Sequence, residues 1–199
     1  MNVIRLLIPA PENRLSFFCL IGCYLLMCYV AFCFYPRWNK TQSEATFGWD
    51  VSGYYQYLPA LFIYQDLKHC AYLDSVIIQY RFAPKMQQAH THPLTGNCVF
   101  KYPSGLALTM LPFFLAGHAY ALISRSAPAD GFSFPYQFAI GAGMFLYSLL
   151  GVFLLRLLLL RYFSDRVVAL ILLAYVAGTN YLNYAAVDQA MTHSVLFTI

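Results

Sequence analysis

The sequence predicts an all-α integral membrane protein, a multi-span helical bundle whose long first extracytoplasmic loop carries interfacial helices. Three observations predict it. Long apolar runs punctuate the 199 residues, 60% of the residues are hydrophobic against 10% charged, and 18% are aromatic, more rings than a soluble domain carries. The net charge of +4 is scattered and accompanies no nucleic-acid motif, so DNA and RNA are not expected partners.

The first run, 15–35, holds no charge in 21 residues. At ~1.5 Å per residue, a helix of that length crosses the ~30 Å hydrocarbon core. It exceeds the roughly 7–15 residues of a signal-peptide core, and Cys33, Phe34, Tyr35 and Pro36 are too bulky for a cleavage site, so it is a retained anchor. Further apolar runs occupy 104–124, 136–160 and 167–187, and another begins in 189–199. Because that last run is too short to span, the chain is expected to be the N-terminal part of a longer protein and inactive alone.

Lys and Arg near the span ends set the orientation. If all four runs cross, Arg5, Arg14 and Arg125 fall inside, while Arg37, Lys40, Lys101, Arg156, Arg161 and Arg166 fall outside, against the positive-inside rule. If 104–124 does not cross, Arg156, Arg161 and Arg166 join Arg5 and Arg14 inside. Three crossings are therefore expected, at 15–35, 136–160 and 167–187. The run 104–124, with Pro112, Gly117 and His118, suits an interfacial or re-entrant helix; a plain transmembrane helix is the alternative. Residues 36–135 then form one extracytoplasmic loop, with Asp188 emerging on the same side as Asp50 and Lys101.

That loop opens with GWDVSGYYQYLPAL, in which Asp50 stands among Trp49, Tyr54, Tyr55 and Tyr57 just beyond a span. An acid at the bilayer surface pairs or acts. Residues 52–67 predict an amphipathic helical stretch, with Ser52 as N-cap, Pro59 ending or kinking its first half, and Tyr54, Tyr55, Tyr57, Phe62 and Tyr64 at headgroup level. The extended runs 79–83 and 98–102 are expected to join through a turn at Thr95, Gly96 and Asn97.

In VFKYPSGLALTMLP, Pro103 and Ser104 mark a helix start. Free N–H groups near Gly105 and Leu106, beside Lys101, would favour an anion such as a lipid phosphate, whereas an interfacial lysine can equally snorkel to water. Asp188 and His193 in AAVDQAMTHSV lie five apart, which does not put them on one helix face. An acid opening an apolar helix is a functional candidate by its cost alone. His90 and His92 in AHTHP lack a third ligand at metal-site spacing and predict a solvated loop. Cys19, Cys23, Cys28 and Cys33 lie in the first span as small apolar residues, whereas Cys70 and Cys98 share the loop, as a bridge or as two thiols.

A first span, an early loop acid followed by aromatics, the segment KYPSGLALTMLPFF and an Asp opening a later span together resemble the GT-C superfamily of membrane glycosyltransferases. Within it, the chain is most similar to bacterial relatives of protein O-mannosyltransferases and of lipid A aminoarabinose transferases. The resemblance implies an inner-membrane enzyme that transfers a sugar from a polyprenyl-phosphate-linked donor to an envelope acceptor on the periplasmic or external face. It implies Asp50 as catalytic base and Asp188 as a second catalytic acid that orients acceptor or shares a divalent cation. Lys101 and Gly105 would bind the donor phosphate, and Trp49, Tyr54, Tyr55 and His193 would line the substrate. The chain departs from the O-mannosyltransferase pattern: Asp50 is flanked by Trp49 and Val51 rather than by a second acid, and KYPSG replaces a His-Pro-Pro signature. Two other classes remain in view. One is a transporter or flippase segment using Asp188 and His193; the other is a non-catalytic envelope assembly protein, which would need neither Asp50 nor Lys101.

Overall fold

The computed structural model describes residues 10–82 and 88–198. The chain is mostly helical, at 67%, with little sheet. Arg5, which enters the charge count, and Ala83, the end of the expected run 79–83, lie outside the described residues. In chain order the helices are α1 Arg14–Tyr29, α2 Asp50–Tyr55, α3 Tyr57–Phe62, α4 Leu73–Tyr80, α5 Gly105–Ser124, α6 Phe134–Leu159, α7 Asp165–Gly178 and α8 Thr192–Thr198; the strands are β1 Ala89–Thr91 and β2 Cys98–Phe100. Three helical stretches are long and apolar enough to cross a membrane: Pro11–Asn39, Gly105–Ser124 and Phe134–Leu159.

The chain divides into two units. The first combines the described residues up to Pro36 with Phe145–Gln189 and the stretch from His193 onward. Here α1 continues through a wider turn, Val30–Phe34, and packs parallel to α7, with Leu20, Cys23 and Met27 buried against Val168, Leu172 and Val176. The carboxylate of Asp165 fixes the register. It accepts from the N–H groups of Leu15 at 2.8 Å and Ser16 at 3.0 Å, two of the donors that a helix start leaves unpaired. The C-terminal half of α6 runs antiparallel to α1: Tyr24 donates to the carbonyl of Leu149 at 2.6 Å, while the ring of Phe32 meets that of Phe145. Arg156, only 3% exposed, donates to Ser16 Oγ at 2.9 Å and to the Asn13 carbonyl at 2.8 Å. A buried guanidinium is tolerated when its donors are satisfied in this way.

The run 167–187, expected as one span, is a broken helix. Helix α7 ends at Gly178, because Thr179 is extended and its hydroxyl donates to the Tyr175 carbonyl at 2.6 Å while accepting from the Tyr181 N–H at 3.1 Å. Its 14 residues rise ~21 Å, short of the ~30 Å core. A separate helical turn, Asn183–Val187, then leads to Asp188.

The second unit comprises Arg37–Met144 and Ala190–Thr192. In it α2 and α3 follow one another with a break at Gln56, since Pro59 has no N–H to return to the Tyr55 carbonyl. Ser52 is not the expected N-cap. It lies inside α2, donating to the Trp49 carbonyl at 2.6 Å, and Trp49 takes the cap position at φ 53°. Nor can Tyr55 belong to a headgroup row. Tyr55 is fully buried, stacks on Phe47 at 4.0 Å and donates to the Gly131 carbonyl. Tyr57 stacks on Phe100 at 4.3 Å and donates to the Tyr102 carbonyl, which ties α3 to the hairpin.

Gln79 and Tyr80 end a helix, α4, rather than forming a strand, and Arg81 caps it in the left-handed region at φ 51°. The hairpin partner of 98–100 is 89–91, paired antiparallel with His90 opposite Val99. The expected turn is present, with Gly96 at φ 69°. Within the run 104–124, Gly105–Ser124 is one continuous helix through Pro112, with Ser104 at its N-cap. It runs antiparallel to the start of α6: a Cβ on Gly143 would meet the Phe113 ring at 2.1 Å, and one on Gly117 would meet the Pro135 carbonyl at 3.1 Å. Glycine at 143 is what lets that ring seat. On its other side α5 packs under the loop helices, with buried Phe114 against Tyr55 and Phe62.

Candidate functional site

The second unit brings Asp50 and Lys101 together. Asp50 is the first residue of α2, held there because Trp49 N–H donates to the Phe82 carbonyl at 3.1 Å and the chain turns through positive φ. A tryptophan in that region stores of order 1–3 kcal/mol of backbone strain. The strain projects Asp50 from the start of a short helix while the indole stays 53% exposed beside it. Lys101 follows β2, and its Nζ lies 3.6 Å from Asp50 Oδ1.

A third residue, not singled out in the sequence, organises the pair. Gln88 is 4% exposed, and its Nε2 donates to Asp50 Oδ1 at 3.2 Å. Its backbone carbonyl accepts from Lys101 N–H at 2.9 Å and from Gln56 Nε2 at 3.2 Å, so one residue fixes both the acid and the cation. No periodicity or motif around Gln88 signals this, because the contact depends on the hairpin bringing 88 beside 101. The side-chain oxygens of Gln88 and Gln56 are buried without a partner, which leaves acceptor capacity at the base of the site.

Tyr102 forms one wall, stacked on Tyr54 at 4.2 Å. Its approach needs Gly53: a Cβ there would come within 2.6 Å of the Tyr102 ring and 3.1 Å of Gln88. Lys101 Nζ lies 4.8 Å from the Tyr102 ring centre. Contact with Tyr102 and then the charge of Asp50 raise the Lys101 pKa, so the ammonium persists to higher pH than an ordinary lysine. The side chains of Lys101 and Asp50 are 50% and 40% exposed, so their attraction is screened by solvent and weak. The pair is therefore poor evidence of a structural role and leaves both groups open to a ligand.

Of the other expected site residues, Trp49 and Tyr54 flank the pair, whereas Tyr55 is a core ring and cannot line a substrate. Gly105 is the first residue of α5, and open space surrounds the position of its absent Cβ. Asp188 and His193 belong to the first unit. Asp188 closes the turn Asn183–Val187 and accepts from Asn183 Nδ2 at 3.2 Å; the His193 ring lies 4.1 Å from that of Tyr184. Among the described residues no three His, Cys, Asp or Glu side chains converge as metal ligands. His90 is exposed, and His92 Nδ1 pairs with Thr95 Oγ1 at 3.3 Å within the turn.

Cys70 and Cys98 are free thiols in contact with one another. The Cys98 N–H donates to the Lys68 carbonyl at 2.6 Å, which draws β2 onto the loop bearing Cys70. Burial and then the Cys98 contact raise the Cys70 pKa, so it is a slow nucleophile as the thiol. In an oxidising compartment a disulfide-exchange oxidant would join them, adding roughly 3 kcal/mol on the chain-entropy estimate. Alkylation of unreduced, SDS-denatured protein should leave both unlabelled until reductant is added; labelling of both beforehand would establish two thiols. No family model matches the chain, and no curated protein or solved structure matches it.

Proposed function

We propose that the chain carries the donor end of a membrane glycosyltransferase, one that moves a sugar from a polyprenyl-phosphate-linked donor to an envelope hydroxyl on the extracytoplasmic face. The observation that carries this reading is the Asp50–Lys101 pair, 3.6 Å apart, half-exposed and walled by aromatic rings. Asp50 takes the proton of the acceptor hydroxyl as its oxygen bonds to the anomeric carbon, and the bond from that carbon to the phosphate oxygen breaks. The lipid phosphate leaves with the electron pair. Lys101 stabilises the charge that gathers on it, and the open start of α5 supplies N–H groups for the same anion. Phosphate leaves readily, so no general acid is required.

The packing of the first unit supports the topology this needs. The start of α1 and the end of α6 meet at one level through Arg156, and the two helices are antiparallel. If both span the membrane, the chain between them starts and ends on the same side, and α5 makes no net crossing. A reporter fused after Asp130 should be external and one after Ser164 cytoplasmic; one after Asp188 is external if the broken stretch 165–187 crosses as a whole. A cytoplasmic Asp130 reporter would defeat the arrangement and with it an external site for Asp50. The break at Thr179 favours a second reading, since discontinuous helices near an acid mark transporters. That reading puts function on Asp188 and His193 and predicts full activity without Asp50.

A further inference from the structure

We infer that the groove beneath Trp38 in the second unit is a binding site for an anionic glycerophospholipid of the bilayer, distinct from the Asp50–Lys101 site and independent of any transfer reaction. Two cavities adjoin there and share Trp38 and Phe134 as a common wall. One, about 550 Å³, is almost wholly apolar and lies between the second half of α5 and the start of α6, along Ala116, Gly117, Tyr120 and Phe138. The other, about 570 Å³, is lined by Lys40, Thr41, Arg81 and Gln137.

An apolar trough that opens into a cationic cleft fits one kind of molecule, an amphiphile with a negative head. The trough lies where the second half of α5 meets the start of α6; if α6 crosses the membrane, its first residues sit at the depth at which acyl chains give way to headgroups. Trp38 stands at the junction, with its ring 5.3 Å from Phe138 and 5.9 Å from Phe134. Its indole Nε1 is buried without a partner, as is Oε1 of Gln137, a residue 7% exposed. Unpaired buried polar atoms call for an explanation. A lipid provides one, its phosphate or ester oxygen accepting from the indole N–H and a headgroup hydroxyl donating to Gln137. Arg81, on the cleft wall with Lys40, then sets the sign of the charge, as basic pockets beside membrane helices do for anionic lipids.

Trp38 is also the probe. The chain has two tryptophans, so Trp49→Phe leaves Trp38 as the reporter. In phosphatidylcholine vesicles, a small fraction of brominated phosphatidylglycerol should quench its fluorescence with an apparent affinity about tenfold above that of brominated phosphatidylcholine. Unbrominated phosphatidylglycerol should reverse the quenching. Lys40→Gln with Arg81→Gln should bring the preference close to one, and Ala116→Phe, which fills the trough and spares both charges, should reduce quenching by either lipid. Equal quenching by the two headgroups in the parent protein, a result that needs no variant to fold, would overturn the assignment. So would a preference that survives loss of both cations. Displacement by stoichiometric polyprenyl phosphate when excess phosphatidylglycerol fails would also overturn it, and would give the groove to the donor lipid instead.

Discussion

If Asp50 is the proposed base, Asp50→Asn should lower transfer from a polyprenyl-phosphate-linked sugar by about 10²-fold to 10⁴-fold, with little change in donor binding. The amide keeps the size of the carboxylate and an oxygen that can accept from Gln88 Nε2, so the 3.2 Å contact that orients the side chain can survive. What disappears is the proton acceptor. The ion pair with Lys101 is also lost, but between half-exposed, solvent-screened groups that costs too little to unfold the unit. Thermal stability in detergent should accordingly stay close to the parent's, so that a fall in rate reports chemistry. Near-normal transfer by this variant would remove Asp50 from the reaction and leave it as an interfacial residue held by Gln88.

How far the sequence foretold this site depends on the range of each interaction. The apolar runs 15–35, 104–124 and 136–160 are legible because hydropathy summed over about twenty residues outweighs local detail. The run 167–187 has the same composition and still breaks. The turn residues Gly178, Thr179 and Asn180 carry the signal, and a hydroxyl that satisfies the backbone at both ends of the break makes it affordable. Around Asp50, the acid, the neighbouring rings and Lys101 are each visible in local motifs. Their meeting is not, since it rests on β1 pairing with β2 and on Gln88 reaching both Asp50 and Lys101. Tyr55 shows the converse. Its neighbours read as interfacial anchors, but which face of a six-residue helix turns inward is set by Phe47 and by Gly131, the latter distant in sequence, and no pattern in GWDVSGYYQYL encodes them.

Lys101→Met should act differently from Asp50→Asn, and the contrast separates the two roles. Methionine keeps the length and apolar stem of lysine while removing the charge. The donor should therefore bind more weakly, and transfer should also slow, because the phosphate gains charge as its bond to the sugar breaks. A loss of about 10²-fold in kcat/KM, shared between a higher donor KM and a lower kcat, is the expected size for one stabilising group. Lys101→Arg should recover part of it, since charge is retained in a different geometry. The raised pKa of Lys101 keeps the ammonium charged to higher pH than an ordinary lysine, so the parent's pH profile should show no alkaline loss from this group in the neutral range. The double variant should lose less than the sum of the two single losses if acid and cation act on one substrate in one transition state. Unchanged donor KM and turnover in Lys101→Met would reduce the lysine to a counterion of Asp50, and the donor phosphate would then have to be held elsewhere.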